Sequence, residues 1–218
     1  MFTGIIQSMG AIQELARRGA DARVRIAAGK LDLAAVQAGD SIAVSGVCLT
    51  VVALHEQGFS ADVSVETLRC TTFASLRPGA AVNLEKALTL STPLGGHLVS
   101  GHVDGVAAVT ARNEVGQSLR FVITVPASLA KYIAAKGSVC VDGVSLTVNE
   151  VQGAAFTVNI VPHTLRETSL GALTVGAQVN VEVDLMARYA ERLLAVDQNG
   201  ARGGITRDLL ARQGYNNE

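Results

Sequence analysis

Tryptophan is absent, and aromatic residues make up only 4% of the chain. That argues against a platform for stacking nucleobases. Cysteine is scarce and odd in number: Cys48, Cys70 and Cys140, with no CxxC pair. A disulfide framework and a structural zinc site are thereby disfavoured, and reduced thiols are expected. There is no basic run and the formal net charge is −1, so neither nucleic acid nor an anionic membrane is an expected partner. No apolar run approaches membrane-spanning length. The start, Met1 to Gln7, lacks the basic and apolar regions of a secretory signal. The expectation is a soluble, cytoplasmic protein. Hydrophobic residues, by contrast, are 49% of 218. That is enough for two cores in domains of about 100 residues each.

The chain repeats itself at an offset of 97 residues, with 24 identities over the 85 positions from Met1 to Glu85 and no gap. Gly4 matches Gly101, Ser41 matches Ser138, and Gly46-Val47 matches Gly143-Val144. Leu49-Thr50-Val51 matches Leu146-Thr147-Val148, and Thr67-Leu68-Arg69 matches Thr164-Leu165-Arg166. Val82-Asn83 and Glu85 match Val179-Asn180 and Glu182. Two copies are too few for a solenoid. They read as two homologous domains with two like sites. The boundaries fall at residues 1–97 and 98–184, with Leu88 to Gly96 as linker.

Short Val- and Thr-rich segments punctuated by glycine predict an all-β fold. Strands are expected at 23–26, 41–53, 59–65 and 81–84, and again at 120–125, 138–148, 156–161 and 178–183. About six per repeat suit a small Greek-key barrel or sandwich. Helices are expected at Leu31–Gln37 and Ser128–Ala135, with others N-capped by Thr67 and Thr164. A last helix, 185–198, carries apolar Met186, Tyr189, Ala190, Leu193 and Leu194 at helical spacing. It has no counterpart in the first repeat, so an oligomer interface is expected there. The polar 199–218 tail is expected to be mobile.

Identities serve what both domains share. The paired glycines have a plain structural reading as turns or bulges. The polar pairs Ser41/Ser138, Thr50/Thr147, Thr67/Thr164 and Asn83/Asn180 could instead hydrogen-bond a flat heterocycle. The mismatches are where chemistry could differ. His102 stands opposite Ile5, Cys48 opposite Ser145, Lys136 opposite Gly39, and Asp184 opposite Ala87. A histidine titrates near neutral pH and a thiolate is a nucleophile. Each also has a bland reading: a turn histidine, a core cysteine, a loop lysine. His97 and His102 do not form a metal motif, and no metal is expected.

The segments Met1-Phe2-Thr3-Gly4-Ile5-Ile6, Gly95-Gly96-His97-Leu98-Val99-Ser100-Gly101-His102-Val103-Asp104 and Asp142-Gly143-Val144-Ser145-Leu146-Thr147-Val148 resemble the riboflavin synthase alpha-chain family. So do Cys48-Leu49-Thr50-Val51, Glu66-Thr67-Leu68-Arg69 and Pro162-His163-Thr164-Leu165. The resemblance covers about residues 1–195. It implies two six-stranded Greek-key β-barrels in tandem plus a C-terminal helix, a homotrimer formed through that helix, and a site shared between neighbouring subunits. It also implies dismutation of 6,7-dimethyl-8-ribityllumazine, two molecules per active site. The products are riboflavin and 5-amino-6-ribitylamino-uracil, with no metal or separate cofactor. Lumazine synthase is a further partner the resemblance suggests.

Carried over by position, the first binding surface is Gly4, Ile5, Ile6, Ser41, Cys48, Leu49, Thr50, Asp62, Val63, Ser64, Val65, Glu66 and Thr67. The second is Gly101, His102, Val103, Ser145, Leu146, Thr147, Asn159, Ile160, Val161, Pro162, His163 and Thr164, with Lys136 and Asp184. Catalytic roles fall to His102, Cys48, Ser145, Asp184, Lys136 and Ser41. The alternative is a non-catalytic, antenna-type lumazine- or flavin-binding protein on the same fold. A β-barrel interaction module without a small ligand is disfavoured by the reactive side chains at 48, 102, 136 and 184.

Overall fold

The structure, a computed structural model, describes residues 1–200 and 212–213. Twelve strands and four short or medium helices are present among them. In the first repeat these are β1 (Ser8–Arg18), β2 (Asp21–Ala27), β3 (Ser41–Val44), β4 (Val47–His55), β5 (Gly58–Val63), α1 (Val65–Cys70) and β6 (Ala81–Lys86). The second repeats them as β7 (Gly105–Val115), β8 (Ser118–Thr124), α2 (Ala127–Ala130), β9 (Ser138–Val141), β10 (Val144–Gln152), β11 (Ala155–Ile160), α3 (Pro162–Glu167) and β12 (Gln178–Val183). The strands close into two antiparallel barrels, β1-β2-β5-β4-β3-β6 and, in equivalent order, β7-β8-β11-β10-β9-β12. This is the expected all-β architecture of two six-stranded Greek-key barrels, followed by helix α4 (Leu185–Gly200).

Closing so few strands demands strong coiling, and bulges supply it. The register of β1 against β2 slips between Ile12 and Glu14, and that of β7 against β8 between Val109 and Ala111. The slip in β4 between Val51 and Ala53 recurs in β10 between Val148 and Glu150. All four lie at the repeat offset. Alternate residues then point inward. Val24, Ile26, Phe59 and Phe73 help fill the first core, and Phe121, Ile123, Phe156 and Leu170 the second.

The stretch expected as one strand across Gly46 is a hairpin. Ser45 and Gly46 have φ of 44° and 81°, and Asp142 and Gly143 have φ of 45° and 83°. Both are two-residue turns with two positive φ values, the geometry that suits the strand twist. The turns meet back to back. A Cβ on Gly46 would lie 2.9 Å from the Gly143 nitrogen, and one on Gly143 2.8 Å from that of Gly46.

The outer faces of β6 and β12 complete this seam. Val82 and Leu84 point into the first core, so Asn83 and Glu85 point out, yet both are buried. Asn83 Nδ2 donates to the Asp142 carbonyl (2.8 Å), and its Oδ1 accepts from the Ser169 N–H (2.8 Å). Asn180 mirrors it, donating to the Ser45 carbonyl (2.9 Å) and accepting from the Thr72 N–H (2.8 Å). Ser45 Oγ accepts from the Asn83 N–H, and Asp142 Oδ1 accepts from the Asn180 N–H.

The helix expectations need correction. Leu31–Gln37 is not helical. Asp32 Oδ1 accepts from the Ala34 N–H and Asp40 Oδ2 from the Gln37 N–H, so side chains hold local turns in place of a helical ladder. Of Ser128–Ala135, only the single turn α2 forms. The N-cap of α1 is Ser64, not Thr67. Val161 precedes α3 with Pro162 in its first turn, and Thr164 lies inside that helix. Strands β1 and β7 were not foreseen. In α4, Met186, Tyr189, Leu193 and Leu194 are exposed. Most of the 199–218 tail lies outside the described residues. Among the described residues no helix is long and apolar enough to cross a membrane.

Burial pushes the Asp142 carboxyl up to about 7, with the Asn180 N–H opposing. The folded state therefore holds a proton that the unfolded chain releases above about pH 4. The stabilisation linked to it is full below that value and is lost as pH rises through about 7. Asp142→Asn keeps the acceptor and suits the left-handed turn. Urea denaturation is expected to show about 3 kcal/mol less loss of stability between pH 4.5 and 7.5 in the variant than in wild type.

Candidate functional site

The site grows from two loops, Thr3-Gly4 and Ser100-Gly101, each clamped by a buried carboxylate. Glu85 Oε1 accepts from the Thr3 N–H (2.7 Å) and Oγ1 (2.6 Å), and its Oε2 from the Gly4 N–H (2.9 Å). Glu182 makes the same three bonds to Ser100 and Gly101, at 2.6, 2.7 and 2.9 Å. Burial raises the Glu85 carboxyl, while its three donors favour the ionised form. The Glu85/Glu182 identity is plain in the sequence, but its role is not. The signal was present: a hydroxyl residue precedes glycine at positions 3 and 100.

Each clamped loop is delivered to the other barrel. The Gly4 carbonyl accepts from the Ser145 N–H (2.8 Å), and the Gly101 carbonyl from the Cys48 N–H (2.9 Å). Both glycines have positive φ, 75° and 79°. A Cβ on Gly4 would lie 2.6 Å from Ser145 Cβ, and one on Gly101 2.6 Å from Cys48 Cβ. Only glycine permits that approach. Ile6 packs on the second core and Val103 on the first. The grouping by position is thus exchanged. Gly4-Ile5-Ile6 meets Ser145-Leu146-Thr147, and Gly101-His102-Val103 meets Cys48-Leu49-Thr50. The loops cross because β6 and β12 hold them on the barrels' outer faces, at the seam.

Phe2 anchors the crossing. It is fully buried and packs with Ala43, Val99, Cys140 and Cys48. Its N–H donates to the Val99 carbonyl (2.7 Å), and the Val99 N–H returns a bond (3.1 Å). A Cβ on Gly101 would lie 2.8 Å from the Phe2 ring. In the sequence Phe2 stands out only as part of the Met1–Ile6 motif.

The remaining candidates are spread over both barrels. Ser41 pairs with Thr50 across β3 and β4, and Ser138 with Thr147 across β9 and β10. Ser41 also borders a cavity of about 240 Å³ with Ile42, Lys86 and Leu88. Asp62, Val63 and Ser64 border another of about 310 Å³ with Arg18 and Asp21. A third, about 830 Å³ around Gly29, Leu31, Leu54 and His55, contains no sequence-predicted site residue. Asp62 forms a two-pronged ion pair with Arg23 (2.7 and 2.9 Å), which lowers its pKa. Asn159, its counterpart, meets Arg120 at 3.3 Å. Glu66 is held at about 2 by Arg69 first and by Cys70 second. Thr67 sits in α1. Val65, Val161 and His163 are exposed, and Ile160 is buried in the second core.

His102 and Lys136 are exposed, and Asp184 is half-buried. Lys136 has φ of 67° where Gly39 has 100°. Its N–H bonds the Val148 carbonyl as that of Gly39 bonds Val51, both at 2.8 Å. A side chain held in a left-handed turn costs about 1 kcal/mol, a strain that clusters at functional positions. His97 is buried, with Nδ1 2.7 Å from Ser145 Oγ. Burial lowers its pKa, and Asp184 raises it in part.

A family model described as lumazine binding domain matches residues 3–87 and again 100–184. The riboflavin synthase of Photobacterium phosphoreum is 50% identical over 216 residues, covering 99% of both chains. That of Bacillus subtilis (strain 168) is 38% identical over 216 residues, 99% of this chain and 100% of the other. Among solved structures, LumP complexed with 6,7-dimethyl-8-(1'-D-ribityl) lumazine superposes with a TM-score of 0.75 at 30% identity. LumP complexed with riboflavin gives 0.78 at 31%. Each covers 84% of this chain and 99% of its own.

Phe2→Ala is expected to destabilise the chain by about 3–4 kcal/mol, the cost of an emptied aromatic site. Denaturant unfolding measures that. Hydrogen exchange is expected to accelerate at the Cys48 amide, whose partner Gly101 rests on the Phe2 ring.

Proposed function

We infer the chemistry of this chain from one premise: it belongs to the riboflavin synthase family, built of two lumazine-binding domains. It is a transferase that dismutates 6,7-dimethyl-8-ribityllumazine. One molecule gives a four-carbon unit to another, leaving riboflavin and 5-amino-6-ribitylamino-uracil. The observation that carries the reading is the exchange of loops, which sets Cys48 beside Gly101-His102 and Ser145 beside Gly4. Two like half-sites thereby acquire unlike reactive groups, as a reaction between two identical substrates requires. The antenna-type alternative is not favoured, since the 50% relative that spans the whole chain is an enzyme.

The C7 methyl of the lumazine is acidic because its carbanion delocalises into the pteridine ring. That ring is its own electron sink, so no step is routed through a metal or a second cofactor. His102, exposed at the mouth of the first half-site, takes or returns the methyl proton of the lumazine that faces it from the second half-site. Cys48 beside it steers or adds to the acceptor. Ser41 and Ser145 hydrogen-bond the rings, while Lys136 and Asp184 supply charge. The barrels of residues 1–97 and 98–184, each completed by the loop from the other repeat, each hold one lumazine. Holding two substrates face to face supplies up to roughly 7–11 kcal/mol of the barrier.

The exposed apolar stripe of α4 supports a homotrimer, in which the first barrel of one subunit faces the second barrel of a neighbour. The absence of a membrane-length helix among the described residues accords with a cytoplasmic enzyme. Association with lumazine synthase would bring the substrate's source close.

Riboflavin absorbance is expected to rise when the protein is incubated with the ribityllumazine alone. Titration with the ligand is expected to saturate at two molecules per chain. His102→Ala is expected to lower turnover roughly 100-fold, the worth of a general acid–base group. If His102→Ala, Cys48→Ala and Asp184→Asn all turn over at wild-type rates, positioning alone carries the catalysis. Truncation after Asp184 is expected to dissociate the trimer in sedimentation velocity. An intact trimer would remove α4 from the interface.

A further inference from the structure

Ser145 is unusual among the candidate residues in having a buried imidazole behind it. His97 is only 9% exposed, and its Nδ1 lies 2.7 Å from Ser145 Oγ. Its other ring nitrogen, Nε2, is buried with no hydrogen-bond partner. The contact is built by the linker. Linker residues run against the N-terminal segment, with the His97 N–H on the Thr3 carbonyl (3.1 Å) and Phe2 bridged to Val99. A Cβ on Gly96 would lie 2.2 Å from the Thr3 oxygen and 2.9 Å from Ser145 Oγ. Glycine there lets the linker lie flat across Ser145 and place the ring.

The unpaired Nε2 decides which partner gives the proton. Buried N–H groups are rarely left unpaired, whereas a bare acceptor is tolerated more often. Nε2 is therefore the bare lone pair and Nδ1 carries the hydrogen. Ser145 Oγ then accepts from His97. The Ser145 backbone N–H is already committed to the Gly4 carbonyl, so the hydroxyl proton is the polar group left to face outward.

We propose that His97 is a positioning residue for the reaction, donating from Nδ1 to Ser145 Oγ so that the serine hydroxyl proton is aimed at a ring oxygen or nitrogen of the lumazine in the second barrel. The inference rests on the reading above, in which Ser145 meets substrate. The chemistry follows from charge. Removing the C7 methyl proton spreads an electron pair over the heteroatoms of the pteridine ring. A donor already oriented toward one of them stabilises that anion without reorganising. Burial keeps the imidazole neutral near neutral pH, against the nearby Asp184 charge. A neutral ring keeps the bare Nε2 that the arrangement requires. The stabilisation acts where charge develops, so it belongs to kcat more than to KM.

The experiment is a double-mutant cycle with ribityllumazine as substrate, reading kcat and KM by riboflavin absorbance. Ser145→Ala is expected to lower kcat roughly 100-fold, as loss of one oriented donor does. His97→Leu should cost about tenfold in kcat with KM little changed, since orientation is lost but the hydroxyl remains. In the Ser145→Ala background, His97→Leu should cost nothing more. His97→Asn, whose amide N–H can stand where Nδ1–H does, should recover most of the loss. If the two losses multiply in the double variant, or if the asparagine variant is as slow as the leucine one, His97 does not act through Ser145 and the inference falls alone. If Ser145→Ala turns over normally, the assignment of Ser145 to the substrate falls, and this inference with it.

Discussion

Two asparagine side chains, Asn83 and Asn180, hold the molecule in the form its site needs. Each spends its amide N–H and its carbonyl on backbone groups across the seam between the barrels. Left unpaired, each of those buried groups would cost about 1–3 kcal/mol. The seam thus penalises separation more than it rewards contact. Shape enforces the same answer, because Gly46 and Gly143 approach so closely that neither tolerates a Cβ. The exposed ion pair of Lys30 with Glu167 adds little beside this, since solvent screens it.

Everything at the half-sites descends from that seam. Glu85 and Glu182 lie two residues beyond the asparagines on the same outward strand face. They catch the Thr3-Gly4 and Ser100-Gly101 loops where the opposite barrel is within reach. The loops cross, and Cys48 and Ser145 each receive a backbone carbonyl from the other repeat. The pseudo-symmetry is nearly complete in the backbone and broken in the chemistry. Imidazole stands at 102 where isoleucine stands at 5, thiol at 48 where hydroxyl stands at 145, lysine at 136 where glycine stands at 39. An ungapped repeat keeps two scaffolds alike while individual positions diverge. A dismutation of two identical molecules calls for that combination.

Much of this was legible in the chain. The offset of 97 residues predicted two homologous domains, the strand pattern a small barrel or sandwich and the resemblance the barrel, while β1 and β7 were missing and β3–β4 and β9–β10 each read as one strand. The mismatched positions of the repeat mark out residues 48, 102, 136 and 184 without any knowledge of the fold. Short polar segments misled: Asp32 and Asp40 bond the backbone nearby and replace a helix with turns. Gly4 and Gly46 were read as ordinary turn glycines, but neighbours that press on them from the other repeat make them obligatory.

By itself the sequence determined the repeat, the all-β class and the kinds of reactive group, because strand periodicity and residue chemistry are local properties. Periodicity of two says that Val82 and Leu84 face one way and Asn83 and Glu85 the other. It does not say what covers the outer face. A lone barrel would leave those polar groups in water. Only the tertiary structure placed a second barrel over them, making the polar face a buried seam and exchanging the loops between half-sites. It also set the His97 ring against Ser145, 48 positions away along the chain. Contacts between distant segments are fixed by which surfaces meet, and no local pattern records that.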